Sequence, residues 1–157
     1  TLKVRIWGEQ WDKATFGTEL LEHAIQGREV VGAEFVKAIC TSAINLSIMS
    51  EKRVGASSGD QVATRTFSVP ACGAFVIHDR TEEVLQLFKE DEEIVCYADI
   101  EELVSKVDTY VSNPDRRREI AERGRSVVLA NHSWDSRIRE ILSHHQNDTA
   151  RGKGASQ

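Results

Sequence analysis

The segment Arg65-Thr66-Phe67-Ser68-Val69-Pro70-Ala71-Cys72-Gly73-Ala74-Phe75 joins two secondary-structure patterns within a few residues. Its first part continues a helix predicted to begin near Gln61. Its last part enters the apolar run Ala74 to Ile77, which is typical of a buried strand. Gly73 falls at the predicted helix end, where a residue with positive φ is common and glycine is favoured. A helix that passes directly into a buried strand predicts an α/β unit.

The same alternation extends in both directions from this segment. Strands are predicted over residues 2–7, 29–31, 43–49, 74–77 and 94–97. Helices are predicted between them over 18–26, 32–41, 61–73 and 81–88, and then over about 99–113, 114–130 and 133–146. This order favours an α/β fold with a Rossmann-like parallel sheet flanked by helices and followed by carboxyl-terminal helices. We expect one domain over 1–146 and a flexible polar tail at 147–157.

Composition excludes several classes of protein. The chain has 157 residues, of which 40% are hydrophobic and 29% charged, and its formal net charge is −5. A negative net charge argues against general nucleic-acid binding. The sequence holds no apolar run near 18 residues and no visible signal peptide, so we expect no transmembrane segment. The three cysteines have no metal-binding spacing and predict reduced, buried thiols in a cytoplasmic protein.

The polar loop Ser50 to Asp60 is the strongest candidate for a binding site. It follows the predicted strand 43–49, and ligands of parallel α/β sheets bind beyond the carboxyl ends of the strands. It leads into the helix that carries Arg65, and a helix N-terminus is a favourable place for phosphate. Lys52 and Arg53 add positive charge. The alternative is a surface loop whose basic side chains are simply solvated.

Other site motifs are absent from the sequence. It contains no G-x-G-x-x-G dinucleotide motif and no Walker loop, and it lacks the acidic pair of a receiver domain. The acidic residues of 79–108 are best interpreted as a solvated helical face and not as a metal or partner site. We also expect no metal and no cofactor elsewhere. The histidines are predicted to pack or to lie at the surface. His78 is the candidate for a ligand contact, because it ends a strand beside Asp79.

Several stretches of the sequence resemble a known protein family. The stretch "DQVATRTFSVPACGAFVIHDRTEEVLQLFKEDEEIVCYADIEELVSKV", residues 60–107, resembles the carboxyl-terminal half of group 1 glycosyltransferases with the GT-B fold. It is most similar to the spore-maturation-type branch, whose pattern resembles D-x4-R-T-F-E-I-P-A-C-G-x-F. The pieces "VRIWGEQW", "GAEFVKAICTSAINLSI" and "YVSNPDRRREIAERGRSVVLANHSW" also fit that branch. The resemblance spans residues 2 to about 143.

The resemblance implies a domain that binds a nucleotide diphosphate sugar. In such enzymes two acids spaced E-x7-E contact the transferred sugar and the ribose, and they map to Asp60 and Ser68 here. Asp60 is the implied catalytic residue. Ser68 stands where the family usually has glutamate, so the ribose contact departs from the family pattern. The other implied donor-binding residues are Gly8, Trp11, Lys52, Arg53, Arg65 and Thr66.

The resemblance also implies what the chain needs from elsewhere. A GT-B enzyme of this group would transfer the sugar with retention and without a metal. Its acceptor, unknown here, lies largely on an amino-terminal half that this sequence lacks, so we expect a fragment with little activity alone. An alternative is a non-catalytic interaction or scaffold module that kept the fold and lost the donor site. A third possibility is a phosphate-binding α/β domain unrelated to sugar transfer.

Overall fold

The computed structural model describes residues 2–8, 23–49 and 60–154, with side chains as far as residue 146. The chain forms two compact units, Thr1–Thr41 and Ser42–Gln157. Within the described residues, the second unit carries the sheet and most of the predicted site.

The first unit contains helix α1, Gly32–Cys40, and one short backbone pairing. Ile6 and Ile25 form an isolated parallel bridge, in which the Ile6 N–H donates to the Ala24 carbonyl at 2.8 Å. The predicted strand at 2–7 is therefore reduced to a single bridge. Residues 29–31 form no strand, since this short run has only two valines before helix α1 begins. The predicted helix at 18–26 falls mainly outside the described residues, and its end forms a turn and the bridge.

The second unit contains a parallel sheet of three strands, β1 Asn45–Ser47, β2 Val76–Asp79 and β3 Val95–Tyr97, in the order β1-β2-β3. Ser47 pairs with His78, and His78 pairs with Cys96. The helices are α2 Thr64–Ala71, α3 Glu82–Leu87, α4 Ile100–Val111, α5 Pro114–Asn131 and α6 Trp134–Gly154. The prediction of a parallel α/β sheet flanked by helices, with a helical carboxyl terminus, is confirmed.

The connection from α2 to β2 follows the sequence prediction. Helix α2 holds Pro70 in its last turn and has Cys72 as its C-cap. Gly73 then adopts φ +70°, a conformation that costs a residue with a side chain more than it costs glycine. Its N–H donates to the Pro70 carbonyl at 2.7 Å, which closes the helix and starts the strand within three residues.

The hydrophobic core lies on the face of the sheet covered by α4. Its buried members are Phe75, Ile77, Val95, Tyr97, Tyr110, Ile120 and Ala121. The rings of Phe75 and Tyr110 have centroids 4.8 Å apart, within the range of favourable aromatic pairs. Helix α2 packs against the opposite face and against α5, where Gly124 lies close to Pro70 and to the Glu93 backbone.

Several helix ends carry side-chain caps. The Asp99 carboxylate accepts the Glu102 N–H at 2.8 Å, and the Asn113 side chain accepts from Arg116 before Pro114 opens α5. The Ser133 hydroxyl accepts the Ser136 N–H at 3.2 Å. Helix α6 continues to Gly154, beyond the predicted end near residue 146. None of the helices in the described part of the chain is long and apolar enough to cross a membrane.

Candidate functional site

The first turn of α2 lies at the carboxyl ends of β1 and β2. The Arg65 guanidinium donates to the Ile48 carbonyl just beyond β1, at 3.2 Å. The Thr66 hydroxyl contacts Nε2 of His78 in β2 at 2.8 Å. The structure therefore brings Arg65 and Thr66 to the edge at which ligands of parallel α/β sheets bind.

The hydrogen bonds around His78 define its tautomer. Nδ1 lies 2.7 Å from the Asp79 carbonyl, which can only accept, so Nδ1 carries the proton. Nε2 then accepts from the Thr66 hydroxyl, whose oxygen also accepts the Ala63 N–H at 2.9 Å. His78 is fully buried, and burial lowers the pKa of its imidazole. The sequence made His78 a candidate for a ligand contact. In this structure its neutral imidazole instead links β2 to α2 through the hydrogen bond with Thr66.

Asp79 is buried as well and joins the three strand ends. Its carboxylate accepts the Met49 N–H at 2.7 Å. It also makes a hydrogen bond with Tyr97, and burial together with this carboxylate raises the pKa of the Tyr97 hydroxyl. These contacts connect the residues after β1 to the ends of β2 and β3. Asp79 therefore holds the ends of the three strands together at this edge of the sheet.

Among the described residues, Arg65 and Arg80 lie at this edge and differ in their partners. Arg80, directly after β2, binds Glu90 at 2.5 Å and Glu102 at 2.9 Å, and both carboxylates raise the pKa of its guanidinium. Its charge is therefore neutralised. Arg65 is exposed, and its described contact is a carbonyl oxygen rather than an acid. Arg65 is the better placed of the two to meet an incoming anion.

The segment before α2 is anchored to the start of α3. The Gln61 carbonyl accepts the Thr81 hydroxyl at 2.7 Å, and the Gln61 side-chain oxygen accepts the Glu83 N–H at 3.1 Å. Asp60, immediately before Gln61, is exposed. The structure thus places Asp60 in the same unit as Arg65, in the segment that leads into α2.

The remaining predicted site residues are distributed differently. Ser68 lies one turn after Arg65 on α2, and its hydroxyl is buried without a hydrogen-bond partner among the described residues. Gly8 lies in the first unit with φ 136°, and its N–H donates to the Arg28 carbonyl. The predicted contacts at Trp11, Lys52 and Arg53 lie outside the described residues.

Comparison with protein families adds to this geometry. The profile of the glycosyl transferase-like family matches residues 1–143. The chain belongs to this family. A search of curated proteins gives no significant match.

Among solved structures, this glycosyl transferase-like chain is similar to a sucrose-phosphate synthase from Thermosynechococcus elongatus. The two share 12% sequence identity with a TM-score of 0.72, over 95% of this chain and 39% of that chain. At this identity the likeness shows the fold, a Rossmann-like half of the GT-B type. The chain spans about two fifths of the length of the structure that it matches.

Sequence reasoning missed two residues that anchor the segment before α2. Gln61 and Thr81 are separated by 20 positions, so no local sequence pattern links them. Thr81 could be found as a helix cap, because it precedes Glu82 and Glu83 in a short amphipathic stretch. No signal in the sequence identifies Gln61. In the described residues, no group of three or more His, Cys, Asp or Glu side chains could hold a metal ion.

Proposed function

We propose that this chain is the donor-binding half of a glycosyltransferase and binds a nucleotide diphosphate sugar at the edge formed by α2 and the carboxyl ends of β1 and β2. One observation carries the proposal. Arg65, the second residue of α2, lies at these strand ends and donates to the Ile48 carbonyl; it is exposed and pairs with no acid among the described residues. This combination suits a diphosphate, because helix dipole and guanidinium favour negative charge at the same place.

The first turn of α2 would hold the leaving diphosphate. Ala63 occupies the N-cap position and supplies no side-chain cap, and the Thr66 N–H already donates to the Ala63 carbonyl at 2.9 Å. The amides of Thr64 and Arg65 would therefore be the ones that meet a phosphate. Such N–H groups bind phosphate oxygens well. As the bond to the sugar breaks, negative charge grows on the diphosphate, and fixed donors of this kind stabilise it. Transfer with retention and without a metal is the family expectation that accompanies this proposal.

The individual donor contacts remain proposals. Asp60 would accept hydrogen bonds from hydroxyls of the transferred sugar. Thr66 contributes by fixing the turn, because its hydroxyl already accepts from Ala63 and donates to His78. The contacts assigned to Gly8, Trp11, Lys52, Arg53 and Ser68 stay predictions.

The proposals about the rest of the enzyme, its acceptor, its family branch and its location rest on the resemblance alone. We infer that the full enzyme has an amino-terminal half that carries an unidentified acceptor, and that this chain transfers sugar poorly without it. The spore-maturation-type branch is supported by the motif at residues 65–75. A cytoplasmic location is likewise a prediction.

Donor binding can be measured directly. Thermal shift and calorimetric titration with UDP, GDP and their sugars should show binding of one nucleotide sugar. Asp60→Ala should weaken binding of that sugar nucleotide by about tenfold, the loss of one charge-assisted contact, and should change binding of the nucleoside diphosphate less. Asp108→Ala, which removes an exposed acid from α4, is the matched control. Unchanged titration heats for Asp60→Ala would rule out its assigned role.

A non-catalytic scaffold is the second candidate, and Ser68 favours it. Serine in place of the usual glutamate cannot make a charged contact to ribose, and its hydroxyl is buried. No stabilisation by any nucleotide sugar, with the amino-terminal half also present, would support the scaffold. A shift with inorganic phosphate but no preference for a base would instead support a general phosphate-binding domain.

A further inference from the structure

We propose that Gln61 is a positioning residue for Asp60: it fixes the segment before α2 against the start of α3, and so holds the Asp60 carboxylate at the sugar. This inference rests on the proposed donor site. The contacts that carry it are the two hydrogen bonds of Gln61, from the Thr81 hydroxyl at 2.7 Å and from the Glu83 N–H at 3.1 Å.

Thr81 makes this anchor rigid. Its hydroxyl oxygen accepts the Val84 N–H at 3.3 Å while its proton goes to the Gln61 carbonyl. Val84 is fully buried, so this end of α3 is fixed to the core. Thr81 also follows the end of β2 by only two residues. Gln61 is thereby tied to the sheet edge itself and not to a separate surface element.

A second anchor lies just beyond the first. The Ala63 N–H donates to Thr66, which in turn contacts the buried His78. The segment from Gln61 to Ala63 is therefore held at both ends. Asp60 is exposed and immediately precedes the first anchor, so the backbone held by Gln61 is directly joined to it. A carboxylate that must meet sugar hydroxyls needs its backbone held to within about half an ångström, and Gln61 provides that restraint.

The test compares binding of the nucleotide sugar with binding of the nucleoside diphosphate. Gln61→Met keeps the length of the side chain and removes the acceptor, while Gln61→Glu keeps an acceptor for the Glu83 N–H. We expect Gln61→Met to weaken nucleotide-sugar binding about fivefold, the effect of one lost hydrogen bond, and to change nucleoside diphosphate binding by less than about twofold. Gln61→Glu should restore most of the loss. Gln86→Met, at an exposed glutamine of α3, is the control.

A double-mutant cycle decides whether Gln61 acts through Asp60. In an Asp60→Ala background, Gln61→Met should have little further effect on nucleotide-sugar binding, since the carboxylate that it positions is gone. An equal loss in both backgrounds would overturn the proposal. Equal losses for the nucleotide sugar and for the nucleoside diphosphate would also overturn it.

Hydrogen exchange tests the anchor without any ligand. Gln61→Met should raise the hydrogen-exchange rates of the Glu83 and Ala63 amides at least about fivefold. The Glu83 amide loses its acceptor, and the Ala63 amide lies in a segment that is no longer anchored at Gln61. Unchanged rates would overturn the anchor. If the wild-type chain binds no nucleotide while these rates rise, the donor site fails and the anchor stands. If Gln61→Met does not fold, Thr81→Val and its hydroxyl-retaining partner Thr81→Ser undergo the same measurements.

Discussion

The Thr66 hydroxyl lies 2.8 Å from Nε2 of His78 and joins the first turn of α2 to the central strand of the sheet. Both side chains are fully buried, so water cannot replace either partner. A buried polar pair of this kind is costly to break, because each group left without a partner pays its full desolvation penalty. The contact therefore fixes where α2 begins, and with it the position of Arg65.

His78 should make stability depend on pH. Burial lowers the pKa of His78 from its ordinary value of 6.5. Above pH 6.5 neither the folded nor the unfolded chain binds this proton. The contribution of His78 to the free energy of unfolding is then fully present. As pH falls below 6.5, the unfolded chain takes up a proton that the folded chain resists, so the free energy of unfolding falls, by at most about 1.4 kcal/mol per pH unit.

Urea unfolding of His78→Asn at pH 5 and at pH 7.5 checks this effect. The variant should be less stable than the wild type at pH 7.5 and should lose less stability on acidification. His144→Asn, at an exposed histidine of α6, is the control. Equal losses on acidification for wild type and His78→Asn would mean that His78 does not resist protonation.

Gly124 should not tolerate alanine. A Cβ at this position would overlap the Glu93 backbone carbonyl and lie 3.6 Å from Pro70. Alanine at a helix interior normally stabilises by about 1 kcal/mol relative to glycine, so the clash should reverse the sign. We expect Gly124→Ala to lower the free energy of unfolding by about 2 kcal/mol, a typical cost of overpacking. Ser126→Ala on the same helix is the control, and a stabilised Gly124→Ala would show that α5 can shift.

The elements that could be predicted from the sequence are those with local signals. Gly73 marks the end of α2, and the apolar run before His78 marks β2, because both depend on neighbouring residues alone. The strand predicted at 29–31 is wrong, since two valines give too little pattern to distinguish a strand from a connection. Contacts such as Gln61 with Thr81 depend on which distant segments meet, and no local pattern encodes that.

Glu102 should lose its contribution to stability in acid. Hydrogen bonds from Arg80 lower the pKa of Glu102 to about 2, against an ordinary value of 4.5. A lowered carboxylate pKa stabilises the folded chain above pH 4.5, and the effect disappears as pH falls toward 2. Glu102→Gln should therefore cost about 1 kcal/mol at pH 7, the scale of a partly exposed ion pair, and less at pH 3.

The measurement is urea unfolding of wild type and Glu102→Gln at both pH values. Glu101→Gln, at the exposed neighbouring acid, is the control and should differ little from wild type at either pH. A cost of Glu102→Gln that is the same at pH 3 and pH 7 would contradict an ionic origin.

Ser68 should show opposite effects in two assays. Its hydroxyl is buried without a described partner, so Ser68→Ala should stabilise the ligand-free chain by up to about 1 kcal/mol. Ser68 itself is only half-buried, and in the proposed donor complex its hydroxyl would rotate about χ1 to meet the ribose. Losing that hydrogen bond should weaken nucleoside diphosphate binding about fivefold.

Ser47→Ala is the matched control, because the Ser47 hydroxyl is equally unpartnered but fully buried in β1. It should raise stability without changing nucleotide binding, and identical behaviour of the two variants would remove Ser68 from the donor site.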